Sequence, residues 1–289
     1  MSKGQRTNEQ SVRSRVAAAQ AEQQRKEQRR RTLAIGGGTL ALLAVAGIII
    51  GALVSRSTPA PSHRPSTAGA LPADVRANLR VPANVLAAVG IGSSSTQALK
   101  NVTGPALTST NLPEMLYIGA EWCPYCAAER WAMAVALERF GTFSPLHGVY
   151  SSSADVYPNT ATLTFYGSTY TSKYLVFTPV ENQDVNHNLL QAPTAAQQAL
   201  WTKYEPPGDG YPFVDIGNRF VTTVTYNPQV LQGLTWSQIA ADLHNPSSPV
   251  AQGADGSANL LTAAICKITG NTPASVCHAA PIPTLERQI

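Results

Sequence analysis

Charge is scarce in this sequence, and much of what exists sits at one end. Asp, Glu, Lys and Arg make up 13% of the 289 residues. Nine basic and three acidic side chains fall within residues 1–31, so residues 32–289 carry twelve basic and fourteen acidic ones. A faintly acidic body without a basic face argues against a nucleic-acid partner. Cysteine is scarcer still, with four copies. Only Cys123 and Cys126 are spaced as in a metal motif; ten residues separate Cys266 from Cys277, where structural zinc sites use about two to four. None of the five histidines (His63, His147, His187, His244, His278) belongs to a motif, which leaves copper binding by the first pair and a distant imidazole without support. We expect no metal and no organic cofactor. No internal repeat is found, and the 44% apolar content is enough for a sizeable core.

One long uncharged run is present. "TLAIGGGTLALLAVAGIIIGALVS" fills the 24 positions between Arg31 and Arg56, and a helix needs about 20 apolar residues to cross the hydrocarbon layer. We expect a single transmembrane helix over residues 32–54. The apolar region of a secretory signal is shorter, about 7–15 residues; the small residues "STAGA" at 66–70 keep cleavage open as the alternative. "RKEQRRR" (25–31) precedes the run, whereas only Arg56 and Arg64 follow it closely. The positive-inside bias then places a basic tail (1–31) in the cytoplasm and the large C-terminal part outside the cell membrane. All four cysteines lie beyond the span, in a compartment where disulfides persist.

Residues 55–70, "SRSTPAPSHRPSTAGA", read as a Pro- and Ser-rich tether, and residues 71–289 as one extracytoplasmic domain. Within it a short helix is expected over 81–90, a buried strand over 114–119, and a helix from Cys123 to Phe140 closing at Gly141, with its charges near its ends. Strands follow over 161–167 and 173–180, then a helix over 194–204 that stops before Pro206. Residues 211–224 read as two strands joined at Gly217 and Asn218. Trp236, Ile239, Ala240 and Leu243 follow helical spacing, and a last helix carries Cys266.

The stretch "YIGAEWCPYCAAERW" (117–131) places a Cys-x-x-Cys pair where a strand gives way to a helix. A helix N-terminus offers unpaired N–H groups and a partial positive charge, both of which favour a thiolate. Cys123 would be the attacking sulfur. Cys126, one turn further in, could expel a bound partner by attacking the mixed disulfide. A static disulfide at the strand–helix corner remains the alternative. Cys266 and Cys277 bracket a loop with Gly270, Asn271 and Pro273, which suits a structural bridge worth about 3 kcal/mol in the chain-entropy picture.

"AEWCPYC" is similar to the active-site segment of the thioredoxin superfamily, with a Trp before the first Cys and an inner Pro-Tyr like that of glutaredoxins. The superfamily sets a cis-proline opposite the pair, ahead of a hairpin, and Tyr211-Pro212-Phe213 matches that place. The resemblance implies that Pro212 keeps metal from the cysteines and that the Tyr211 backbone pairs with a substrate peptide. Read from the residues alone, Pro212 also fits a trans proline opening an edge strand. More widely, "YIGAEWCPYCAAERWAMAVALERFG", "YTSKYLVFTPVE", "YPFVDIGNRF" and "LTAAICKITGNTPASVC" resemble the membrane-anchored, thioredoxin-like family called domain of unknown function number 929. That resemblance implies an α/β fold, a thioredoxin-like mixed sheet flanked by helices, and no assigned substrate. Thioredoxins usually carry a buried acid six residues before the first cysteine. Tyr117 stands there, which weighs against thioredoxin-type reduction and leaves oxidase or isomerase behaviour open.

The expectation is a membrane-anchored thiol–disulfide oxidoreductase acting on protein thiols or disulfides, with Cys123 and Cys126 as its redox pair. Trp122, Pro124, Tyr125, Tyr211 and Pro212 would shape a shallow peptide-contact surface around an exposed sulfur. The rival is a non-catalytic binding or envelope module that keeps the pair as a bridge and uses Tyr166, Tyr170, Tyr174 and Phe177 as its face, although buried packing accounts for those rings as readily.

Overall fold

The computed structural model describes residues 69–205 and 210–289. The expected tail (1–31), span (32–54) and all but the last two residues of the tether (55–70) lie outside the described residues. Among the described residues no helix is long and apolar enough to cross a membrane. In chain order the principal elements are α1 (Ala73–Asn78), α2 (Ala83–Val89), β1 (Leu112–Ala120), α3 (Pro124–Leu137), β2 (Gly141–Ser144), β3 (His147–Tyr150), β4 (Ala161–Thr164), β5 (Thr169–Ser172) and β6 (Val176–Gln183). These are followed by α4 (Ala195–Tyr204), β7 (Phe213–Ile216), β8 (Phe220–Thr222), α5 (Trp236–Asp242), α6 (Gly256–Ile268), α7 (Ala274–Cys277) and α8 (Ile282–Glu286).

β1 is the centre of a mixed sheet because both of its edges are paired and both of its faces are covered. β6 runs parallel along one edge, with Met115 opposite Phe177 and Ile118 opposite Val180. β7 runs antiparallel along the other, with Met115 opposite Ile216 and Ile118 opposite Phe213. β8 continues antiparallel beyond β7, and the short strand Lys100–Asn101 follows β8. Successive side chains of a strand point to opposite faces. Met115 and Tyr117 accordingly join the larger core with Trp131 of α3 and Leu261 of α6, while Leu116 and Ile118 join a second core with Trp201 of α4. The result is a mixed α/β fold with its sheet flanked by helices, and a strand apolar on both faces is what such burial requires.

Local chemistry sets the element ends. Cys123 is the N-cap of α3 and Pro124 stands at its first turn, where a missing N–H costs nothing. Thr194 and Gln197 form a reciprocal capping box at α4. The β7–β8 turn has positive φ at Gly217 (68°) and Asn218 (52°), as the dipeptide suggests.

Several expectations need correction. Gly141 does not close α3, which ends at Leu137; it opens β2 opposite Ser172. A Cβ there would sit 2.3 Å from the Thr171 carbonyl oxygen, so close strand approach is what this glycine serves. The charges of α3 are not confined to its ends, because Glu129 and Arg130 lie mid-helix and are fully buried. The strand expected at 173–180 begins at Val176 and runs on to Gln183, as far as the ladder with β1 continues. The tether does not reach residue 70, since Gly69 and Ala70 already pair with Gly148 and His147. The strands β2, β3 and β5 escape sequence reading because four-residue segments show too little alternation. They are held by long-range contacts, including the rings of Phe143 and Phe165 stacked 5.3 Å apart.

Candidate functional site

Cys123 and Cys126 lie where β1 hands over to α3. The Cys123 sulfur accepts the Cys126 N–H at 3.2 Å, the cap position at which a helix N-terminus stabilises negative charge. Opposite it, the Tyr211–Pro212 peptide bond is cis, and the Cys123 thiol points at the Tyr211 carbonyl oxygen, 4.0 Å away. Cys126 is fully buried. Burial, followed by the neighbouring Cys123, pushes its thiol well above the usual range, against the opposing pull of the Arg130 charge.

The Cys123 sulfur is not exposed as the sequence suggested: the residue is 3% accessible. Trp122, Tyr125 and Tyr211 pack over the pair. Trp122 is itself held in place. Its indole N–H donates to Gln183 Oε1 at 2.8 Å, its ring stacks on His187 at 4.5 Å, and it meets the Tyr211 ring edge-on at 5.9 Å. Tyr211 also packs against Trp201 and donates its hydroxyl hydrogen to Asn182 Oδ1. Tyr125 meets Tyr157 edge-on at 6.0 Å. Pro124 and Pro212 are buried beneath this rim.

A buried charge network lies below the pair. Arg130, four residues after Cys126 and so on the same face of α3, donates to both carboxylate oxygens of Glu181 at 2.8 Å and to the Ala120 carbonyl at 2.7 Å. Both partners are fully buried. Burial works against the Arg130 charge, but Glu181, Tyr117 and Cys126 more than reverse this and hold the guanidinium protonated. Tyr117 places its hydroxyl where a Cβ of Gly119 would stand, 1.9 Å from that position, so only glycine fits two residues along this face of β1. Burial holds the phenol protonated. Glu121 is also buried, and its carboxyl is raised for the same reason.

The second pair is of another kind. Cys266 and Cys277 form a disulfide, their Cα atoms 5.6 Å apart, that ties α6 to α7. Neither cysteine belongs to the cluster around Cys123 and Cys126.

A family profile described as "Domain of unknown function (DUF929)" matches residues 99–267, more than half of the chain. The chain belongs to this family. Searches of the curated proteins and of the solved structures returned no match. The matched segment contains Cys123, Cys126, Cys266, Tyr211 and Pro212.

The structure therefore gathers Trp122, Cys123, Pro124, Tyr125, Cys126, Tyr211 and Pro212 in one place and sets Cys266 and Cys277 in another. Sequence reading missed Arg130, Glu181, Gln183 and His187. Arg130 had a signal, a charge one turn past Cys126 and next to Glu129 in a helix whose other residues are uncharged. Glu181 and His187 had none, because only the folding of β6 and its following loop against β1 brings them here. Of the rings considered as an outer face, Phe177 is buried, Tyr170 and Tyr174 pack on the core, and Tyr166 is 42% exposed. Among the described residues no group of His, Cys, Asp or Glu is arranged to hold a metal ion.

Proposed function

We propose that this domain is thioredoxin-like and serves as a membrane-anchored, extracytoplasmic thiol–disulfide oxidoreductase acting on protein thiols or disulfides. The observation that carries the reading is the setting of the Cys123 sulfur, which caps α3, accepts the Cys126 N–H at 3.2 Å and faces the Tyr211 carbonyl. The strand order β6–β1–β7–β8, with the pair between β1 and α3, supports the thioredoxin-like arrangement. The membrane anchor and the outward orientation rest on the sequence of residues 1–64 alone.

In the reducing direction the Cys123 thiolate attacks a substrate disulfide. The substrate S–S bond breaks, one substrate sulfur leaves with the electron pair and takes up a proton, and the other stays bonded to Cys123. Cys126 then loses its proton and attacks the Cys123 sulfur. The mixed disulfide breaks, the second substrate sulfur leaves as a thiol, and the Cys123–Cys126 pair is left oxidised. Oxidation of a substrate dithiol is the reverse. Burial of Cys126 supports its role as the resolving sulfur, since it is reached through Cys123 rather than from solvent. Trp122, Pro124, Tyr125, Tyr211 and Pro212 are proposed to hold the substrate peptide, and neither half-reaction needs a metal or an organic cofactor.

The 3% accessibility of Cys123 favours a second reading, a non-catalytic binding or envelope module with the pair as a static bridge. A redox titration of the full chain, with thiols trapped by alkylation and located by mass spectrometry, separates the two. Exchange of Cys123 and Cys126 together at about −120 to −270 mV identifies a working centre. A pair that stays oxidised below about −300 mV is a staple, and the module reading takes over.

A further inference from the structure

We propose that Arg130 is the internal counter-charge of Cys126, a positioning residue that favours the thiolate of the resolving sulfur, with Glu181 fixing its guanidinium in place. The inference rests on the exchange reading above and concerns its second half-reaction.

The resolving step demands a Cys126 thiolate in a site that opposes one. Cys126 is fully buried, and its environment lifts its thiol well above the usual range. The ionisable groups around it are few. Cys123 and Arg130 come from its own helix, Tyr117 from β1, and Glu181 from β6, with Glu121 nearby in the β1–α3 connection beside Arg130 and Glu181. Tyr117 is held neutral by burial. Arg130 is the one cation among them, and its position follows from three hydrogen bonds: two to Glu181 and one to the Ala120 carbonyl.

The ion pair does not use the whole guanidinium. Here Nη1 of Arg130 and the hydroxyl of Tyr117 are both buried without a hydrogen-bond partner among the described residues. The guanidinium, four residues after Cys126 on the same face of α3, thus keeps unused donor capacity. In a low-dielectric interior a fixed cation there acts more strongly than it would in water. When Cys126 loses its proton to attack, the negative charge forms close to a positive charge that is already in place and has no solvent shell to reorganise. The electron pair ends on the departing substrate sulfur, which takes the proton, so no further oxidant or reductant enters the step.

The test uses the full chain carrying a mixed disulfide between Cys123 and a chromogenic aromatic thiol. Release of that thiol by Cys126 is followed against pH in the wild type, Glu181→Gln, Arg130→Lys and the double variant Arg130→Met/Glu181→Gln, each first checked for native near-ultraviolet circular dichroism. Glu181→Gln removes the anion that offsets the cation, and should shift the release profile to lower pH. The double variant removes both charges, and should shift it to higher pH than the wild type by about one unit, equivalent to tenfold slower release below the midpoint. Arg130→Lys keeps the cation and should leave the release profile close to that of the wild type. Shifts in the same direction for Glu181→Gln and the double variant, or coincident profiles, overturn the proposal, because loosening a structural pair has no charge-dependent sign. Should the double variant not fold, Glu181→Gln decides: a shift to lower pH supports the proposal, and no shift or a shift to higher pH overturns it. A wild-type chain that releases no thiol at any pH refutes the exchange reading itself, an outcome distinct from release that ignores these substitutions.

Discussion

The two cysteine pairs share a chain and differ in what surrounds them. Cys123 and Cys126 occupy a helix N-terminus just past the end of the central strand β1, beneath an aromatic rim and above a paired buried charge. Cys266 and Cys277 join the end of α6 to α7 as part of the large apolar core. The helices that carry them differ in the same way. α3 keeps Arg130 ionised by pairing it with Glu181, whereas Asp255, immediately before α6, is buried with neither carboxylate oxygen hydrogen-bonded among the described residues. A cysteine pair can be chemically poised only where charge is tolerated nearby. Cys266 and Cys277 sit among apolar side chains of the larger core, which suits a staple.

pH should have the largest effect, through the buried carboxyls of Asp255 and Glu129. Burial raises Asp255 from 3.8 to about 8, and Glu129 from 4.5 to about 7 despite two hydrogen bonds from Thr225. Between the unfolded and folded values the native state holds a proton that the unfolded chain has released, so stability falls as pH rises through this window. Each group contributes at most about 1.4 kcal/mol per pH unit. Urea unfolding from pH 5 to pH 8 should show a decline that is clearly shallower in Asp255→Asn. Equal slopes in the two proteins would mean that Asp255 is not protonated in the native state.

Next in size is the staple. Replacing both Cys266 and Cys277 by alanine should lower stability by about 3 kcal/mol through the freed loop. The same replacement at Cys123 and Cys126 should cost only about 1 kcal/mol and abolish exchange. Thermal or urea unfolding of the two double variants checks this, and equal losses would erase the distinction between the pairs.

The smallest effect concerns access. His187 is exposed and lies on the Trp122 ring at the rim above Cys123, and such ring contacts are worth about 0.5–1.5 kcal/mol. His187→Ala should speed alkylation of Cys123 by roughly two- to tenfold without changing the melting temperature appreciably. An unchanged rate would show that opening of the rim does not involve the histidine.

Much of the scaffold was legible because its signals are local. The helix start at Cys123, the helix over 194–204, the Gly217–Asn218 turn and the helix carrying Cys266 each depend on residues close to one another in the chain. The errors share the opposite cause. Gly141 looked like a helix stop until Thr171 proved to lie against it, and β2, β3 and β5 are strands only because their partners are present. Tyr166, Tyr170, Tyr174 and Phe177 looked like one group in the sequence, yet the sheet buries Phe177 and leaves Tyr166 in solvent.

The sequence by itself determined that two cysteines one helical turn apart would meet at a helix N-terminus, because three-residue spacing and a proline at the first turn leave little choice of geometry. It also determined the 11-residue separation that the second pair closes. Only the tertiary structure decided what those sulfurs feel. The Tyr211 carbonyl arrives from 88 residues away and Glu181 reaches Arg130 across 51. Burial and charge pairing depend on which strands lie side by side, and that is settled by the packing of the whole sheet rather than by any stretch of its sequence.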